Sequence, residues 1–178
     1  DIRNILAAVT IISIFKDINK LDKNIFYNHK TPDGRGDISK IKIFKKNIYL
    51  IDESYNSNPL SLKSALKNFE KLKVISSKKH LILGDMLELG KYSKKLHIAI
   101  GKSINKTSIK NVNVIGKHIK DTYKNLKENK KGLILKNKSQ ITDLIKNNIN
   151  NNDYLMIKGS NSTGLNKLTN NIKTGKIN

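Results

Sequence analysis

The sequence predicts an α/β fold: a mostly parallel sheet of about six strands, one of them antiparallel, with helices on both faces. Three observations predict it. Beyond residue 48, apolar runs of three to five residues alternate with stretches of helical periodicity nine to fourteen residues long. Two of these runs, within 49–59 (YLIDESYNSNP) and 81–90 (LILGDMLELG), end in polar turn clusters, as buried parallel strands do when they deliver side chains to a site at their C-terminal ends. Strand–helix alternation also calls for right-handed crossovers, which place those strand ends along one edge.

Residues 4–17 carry Ile5, Leu6, Val9 and Ile12 at helical spacing, with Ala7 and Ala8 between them. Residues 20–30 read as a second short helix and a linker, and 31–37 (TPDGRGD) as a turn cluster and domain boundary. Ile41 and Ile43, then Ile48 and Leu50, alternate as two strands of a hairpin around a polar turn at 45–47. Strands are expected at 49–52, 80–83, 112–115, 133–135 and 154–158, and helices at 60–73, 94–105, 118–128, 139–148 and 164–172. The Asn-rich run 147–152 reads as a surface turn, and no internal repeat is present.

With 178 residues the chain can hold one domain with a real core, or one domain and part of another. It starts at Asp1, without a methionine and inside a helical pattern, and so reads as truncated. The apolar face of the 4–17 helix is then expected to be mobile or to drive association. The absence of cysteine excludes a disulfide framework, a thiolate metal site and a thiol nucleophile. No apolar run approaches the ~20 residues of a membrane span and no signal peptide is visible, so a cytoplasmic location is expected. The net charge of +21, from 35 Lys and Arg against 14 Asp and Glu, points to polyanions. That excess is nearly all lysine, however, and is scattered over every segment. Asn, Ile and Lys run high together, as AT-rich codon usage produces, while Arg occurs only at Arg3 and Arg35. Composition bias is therefore favoured over a nucleic-acid footprint, with non-specific binding expected at low salt.

Glu53, Ser54, Tyr55, Asn56 and Asn58 follow directly on the 49–52 strand. A carboxylate at such a strand end can accept hydrogen bonds from a ribose diol. The asparagines can fix the loop or cap the next helix, and Asn58-Pro59 is a good helix start. Arg35 sits between two glycines, where the backbone can turn tightly and a guanidinium can clamp phosphate. Gly84 permits a sharp strand exit; Asp85 either caps a short helical turn or positions a substrate amine, and Glu88 is open between site and surface. The segment 158–164 (KGSNSTG) precedes the last helix, where backbone N–H groups can hold an anion and Lys158 adds charge. Gly101-Lys102-Ser103 ends like a phosphate-binding loop but has Leu96 where the first glycine is needed. His29, His80, His97 and His118 show no metal-ligating spacing.

The strings at Glu53–Pro59, Gly84–Gly90 and Lys158–Ser160 together resemble the C-terminal domain of the Mur ligases, in which an acidic residue with SYNANP, then GDMLELG, then KGS come in this order. The likeness is to the branch that adds D-alanyl-D-alanine to UDP-N-acetylmuramoyl-tripeptide. It implies a Rossmann-like domain over residues 31–178, preceded at 1–30 by the last helices of a truncated central ATPase domain. It implies ATP and Mg²⁺ as cofactors, with the phosphate-binding loop and most metal ligands upstream, and a monomer when complete. The implied nucleotide contacts are Asn4, Arg35, Glu53 and Tyr55; the implied substrate contacts are Asn56, Asn58, Asp85, Glu88, Lys158 and Ser160. Asp1 stands where the family has an asparagine, and Glu53 where it more often has aspartate. The fragment alone is expected to be inactive. A sibling ligase, a folylpolyglutamate synthase domain, a basic nucleic-acid-binding module and a non-catalytic binding domain remain as alternatives.

Overall fold

The computed structural model describes residues 2–27 and 33–177, with side chains from residue 4 onward. Asp1, His29 and the start of the 31–37 turn cluster lie outside the described residues. The chain divides into two compact units, 1–31 and 32–178. The first holds α1 (Ile2–Phe15) and a single 3-10 turn, Ile18–Lys20, opened by Asp17. The second short helix expected over 20–30 does not form among the described residues. Asp22 accepts from the Asn24 N–H through its side chain and from the Ile25 N–H through its carbonyl, and Tyr27 closes a turn on Asn24. Such local side-chain bonds compete with helix for the same backbone groups.

In the second unit the chain runs β1 (Asp37–Ile43), β2 (Lys46–Glu53), α2 (Pro59–Lys71), β3 (Lys79–Gly84), α3 (Ser93–Ile104), β4 (Asn111–Ile115), α4 (Ile119–Lys124), β5 (Lys131–Leu135), α5 (Ser139–Asn148), β6 (Tyr154–Lys158) and α6 (Leu165–Lys173). The sheet order is β1-β2-β6-β3-β4-β5. Only β1 is antiparallel to its neighbour; the other pairings are parallel. All six residues of β3 are buried: Leu81–Leu83 form its apolar run, while Lys79 and His80 at its start are buried with partners of their own.

Alternate residues feed two cores. Ile51, Leu81, Leu83 and Met156 face the layer of α2, α3 and α4, with Leu62, Phe69, Ile100 and Ile119. Ile48, Leu50, Ile82 and Ile157 face α5 and α6, with Ile141, Ile145, Leu165 and Ile172. Helices therefore cover both faces. At ~25 cal/mol per Å² of apolar surface, each of these fully buried aliphatic side chains contributes roughly 2 kcal/mol to holding the layers together.

Two further sequence expectations are corrected. The hairpin's second arm and the strand at 49–52 are one strand, β2, and the turn is the two residues Phe44 and Lys45 rather than 45–47. Both take positive φ (48° and 62°), the geometry that matches the twist of a two-residue hairpin. The helix expected over 118–128 stops at Lys124, because Asn125 donates from its side chain to the Asp121 carbonyl while its own carbonyl accepts from Asn105.

Candidate functional site

The loops leaving β2, β3 and β6 meet at the C-terminal edge of the sheet. Their closeness has a steric basis. A Cβ added at Gly84 would lie 2.6 Å from Leu165, and one at Gly159 would lie 2.7 Å from the same side chain and 3.2 Å from the Gly84 Cα. Only glycine lets the two strand ends approach in this way.

Ser160 joins all three loops. Its hydroxyl accepts from the Leu87 N–H (2.9 Å) and donates to the Ser57 carbonyl (3.2 Å), while its N–H donates to the Asp85 carbonyl (3.0 Å). Lys158 is almost fully buried and points into the loop after β2. Its ammonium donates to the Asn56 carbonyl (2.9 Å) and pairs with Glu53 Oε2 (3.2 Å). Burial pushes this ammonium below the ordinary lysine range, and Glu53 partly offsets the effect.

The turn expected to bind an anion after β6 is partly self-satisfied. Ser160 O accepts from the Thr163 N–H, Asn161 O from the Gly164 N–H, and Thr163 Oγ1 from the Leu165 N–H. Lys158 and Ser160 thus fix loops, rather than presenting a charge and a hydroxyl outward as the sequence suggested.

Asp85 does cap a helix, but not a turn of its own. Its buried carboxylate accepts from the Lys117 (3.0 Å) and Ile119 (2.7 Å) N–H groups and so closes the start of α4 from across the edge. A side chain at Gly116, whose φ is +131°, would run into that carboxylate. Asn58 caps α2 in a reciprocal box with Ser61, ahead of Pro59, and Asn56 accepts from the Ser57 N–H. Glu88 is exposed at positive φ (62°), and Asn4 is exposed on α1 in the other unit.

Gly34 (φ +78°) and Gly36 (φ +94°) provide the turn that carries Arg35. The guanidinium lies over the Tyr55 ring, 4.8 Å from its centroid, a cation–π contact between two exposed side chains. Backbone bonds lock the two loops together: Tyr55 N–H to Gly34 O (3.2 Å) and Gly36 N–H to Asp52 O (2.7 Å). Beside them opens a cleft of about 170 Å³ whose rim includes Arg35, Gly36 and Glu53 and whose floor includes Ile51, Phe69 and Met156. An apolar floor with a few convergent polar groups is the usual form of a small-ligand site.

Sequence reasoning read His97 as structural without giving it a partner and missed a charge cluster. His97 is fully buried in α3 and accepts from the Met86 N–H (3.3 Å), steadying the loop after β3. Asp37, Asp52 and Lys173 form an ion-paired cluster beneath the Arg35 loop. Aspartate directly after the GRG turn was the available signal for that cluster, but its partner lies over a hundred residues away.

The family model described as Mur ligase, glutamate ligase domain matches residues 39–161. The UDP-N-acetylmuramoyl-tripeptide--D-alanyl-D-alanine ligase of Buchnera aphidicola subsp. Acyrthosiphon pisum is 34% identical over 128 residues, 71% of this chain and 27% of that protein. The enzyme of the same name from Rickettsia prowazekii is 30% identical over 135 residues, 76% of this chain and 29% of that protein. Among solved structures, the MurF ligase of Thermotoga maritima in complex with ADP is similar in fold, with a TM-score of 0.67 at 20% identity, covering 95% of this chain and 36% of that one. The chain spans just over a quarter of the length of these curated relatives.

Proposed function

Since the chain belongs to the Mur ligase family through its glutamate ligase domain, we propose that it is the C-terminal part of an ATP-dependent amide ligase. That ligase joins D-alanyl-D-alanine to UDP-N-acetylmuramoyl-tripeptide in the cytoplasm. In this reading residues 1–30 are the last helices of the central ATPase domain, and 31–178 form the domain that handles nucleotide and dipeptide. The names of the curated relatives support the choice of substrates. Among the described residues no helix is long and apolar enough to cross a membrane.

In the overall reaction the tripeptide carboxylate takes the γ-phosphoryl group of ATP, giving an acyl phosphate and ADP. The dipeptide amine then attacks the acyl carbon, and phosphate leaves. Positioning and electrostatics dominate such chemistry. The observation that carries this chain's share is Arg35 and Glu53 on the rim of one cleft at the sheet edge, held by Tyr55 and Lys158. Arg35 would clamp ribose and phosphates, and Glu53 would accept from the ribose hydroxyls. Asn4 would approach the adenine. On the dipeptide side, the exposed Asn56 and Glu88 are the groups with capacity left for a ligand, while Asn58, Asp85, Lys158 and Ser160 act by holding the loops in place. Mg²⁺ is expected with the ATP; among the described residues no group of three His, Cys, Asp or Glu side chains could hold it, and it enters no step assigned to this chain.

The test is calorimetric titration of the chain with ADP at about 0.15 M salt. Arg35→Ala and Glu53→Gln should each weaken binding at least tenfold. Equal binding by wild type and both variants would remove the nucleotide role from this cleft.

A further inference from the structure

Asp37 and Asp52 are direct partners across the β1–β2 register. Two carboxylates facing each other on one side of a sheet repel. Lys173, in the last turn of α6, lies between them, with its ammonium 2.5 Å from Asp37 Oδ2 and 2.7 Å from Asp52 Oδ2. Each carboxylate spends its second oxygen on a loop. Asp37 Oδ1 accepts from the Gly34 N–H (3.2 Å), and Asp52 Oδ1 accepts from the Ser54 N–H (3.0 Å) and hydroxyl (2.5 Å). Gly34 flanks Arg35, and Ser54 lies between Glu53 and Tyr55.

Residues 52 and 53 are adjacent in a strand, so their side chains leave opposite faces of the sheet. The cluster therefore stands behind the cleft, where Lys173, Asp52 and Tyr55 line a second cavity of about 210 Å³. That cavity leaves the two loops room to shift if the ion pairs are lost. Burial alone would lower the Lys173 ammonium, but hydrogen bonds to Asp37 and Asp52 outweigh it and raise it. Lys173 is thus charged throughout the physiological range, and the lysine is favourably placed at a helix C-terminus.

We propose that Lys173 is a positioning residue for nucleotide binding, clamping the Arg35 loop through Asp37 and the Glu53–Tyr55 loop through Asp52. The inference rests on the nucleotide reading above. It makes α6 a strut with the Ser160 loop at its start and the Arg35 loop at its end.

The test is native-state hydrogen exchange on the 178-residue chain, combined with ADP titration. In Lys173→Met, exchange at the Gly34 and Ser54 amides should rise at least tenfold while Leu81 and Val112 in the sheet core stay unchanged, and ADP affinity should fall at least tenfold. Lys173→Arg should restore both. Asp37→Asn, a milder change, should loosen Gly34 but not Ser54. Loop and core amides accelerating together, or loosened loops that bind ADP as the wild type does, would overturn the proposal. If the wild type itself fails to bind ADP, the nucleotide reading falls; exchange at Gly34 and Ser54 then still decides whether Lys173 clamps the loops.

Discussion

The two ends of the sheet both bury charge, and they use it differently. At the N-terminal ends of the parallel strands, lysine ammoniums finish on main-chain oxygens. Lys79 donates to the Glu70 carbonyl (2.8 Å), Lys130 to the Thr107 and Ile109 carbonyls, and the half-buried Lys46 to the Lys146 and Ile149 carbonyls at the end of α5. His80 pairs with Asp153 at 3.0 Å. These groups tie helix ends and loops to the sheet. At the C-terminal ends the buried charges hold loops whose neighbouring side chains, Arg35 and Tyr55, are exposed beside a cleft. A buried charge is therefore no marker of function in itself. At the candidate site a buried charge supports an exposed one.

The sharpest way to break this contrast is Asp85→Ala. Two charge-assisted bonds to N–H groups at the start of α4 disappear, so stability should fall by about 3 kcal/mol in urea denaturation. A change within 0.5 kcal/mol would mean that α4 needs no cap from the sheet edge.

At the other end the prediction concerns pH. Burial pushes the His80 imidazole below its ordinary value of 6.5, with Asp153 acting more weakly in the opposite direction. The unfolded chain therefore takes up the proton first. His80 contributes its full stability above pH 6.5, and the contribution is lost as the pH falls through the lowered folded value. Urea midpoints measured from pH 7.5 downward should decline more steeply for the wild type than for His80→Gln. Parallel curves would show that the pair is silent.

A smaller effect is expected at Ser57, whose hydroxyl is buried with no hydrogen-bond partner, at the position where the family string has alanine. Ser57→Ala should raise stability by about 1 kcal/mol; a loss of that size would assign the hydroxyl a partner. Smallest of all, Arg35→Ala should move stability by less than about 0.5 kcal/mol, as exposed contacts do, even as it weakens ADP binding. A large loss of stability would place Arg35 with the structural charges of the opposite end.

Much of this was legible in the sequence, and the boundary has physical causes. The central parallel strands could be read because a strand buried on both faces shows as an apolar run; β5, at the sheet edge with Leu133 and Ile134 exposed, was read from its apolar residues alone, and α5 matches its expected bounds, 139–148. The hairpin turn was misread because polarity pointed to Lys45–Asn47, whereas strand twist selected Phe44 and Lys45. At the site, motif order located the loops but not the direction of their side chains. Lys158 faces inward because its stem starts from a central strand, and Asp85 reaches a helix that begins 34 residues later. The Asp37–Asp52–Lys173 cluster was invisible because long-range ion pairs leave no periodic trace.

The strand order carries one more consequence. β6 is the last strand to be made, yet it lies in the middle, between β2 and β3. Its partners in β2 precede it by about 105 residues. On a ribosome, the β1–β2 hairpin and the β3–β4–β5 half emerge with open edges and no neighbour in common, and the gap closes only when residues 154–158 arrive. Such distant pairing slows folding, and unpaired edges invite association in the meantime. A nascent chain stalled before Tyr154 would hold two half-sheets, a natural target for chaperones, while the final strand acts as the keystone that joins them.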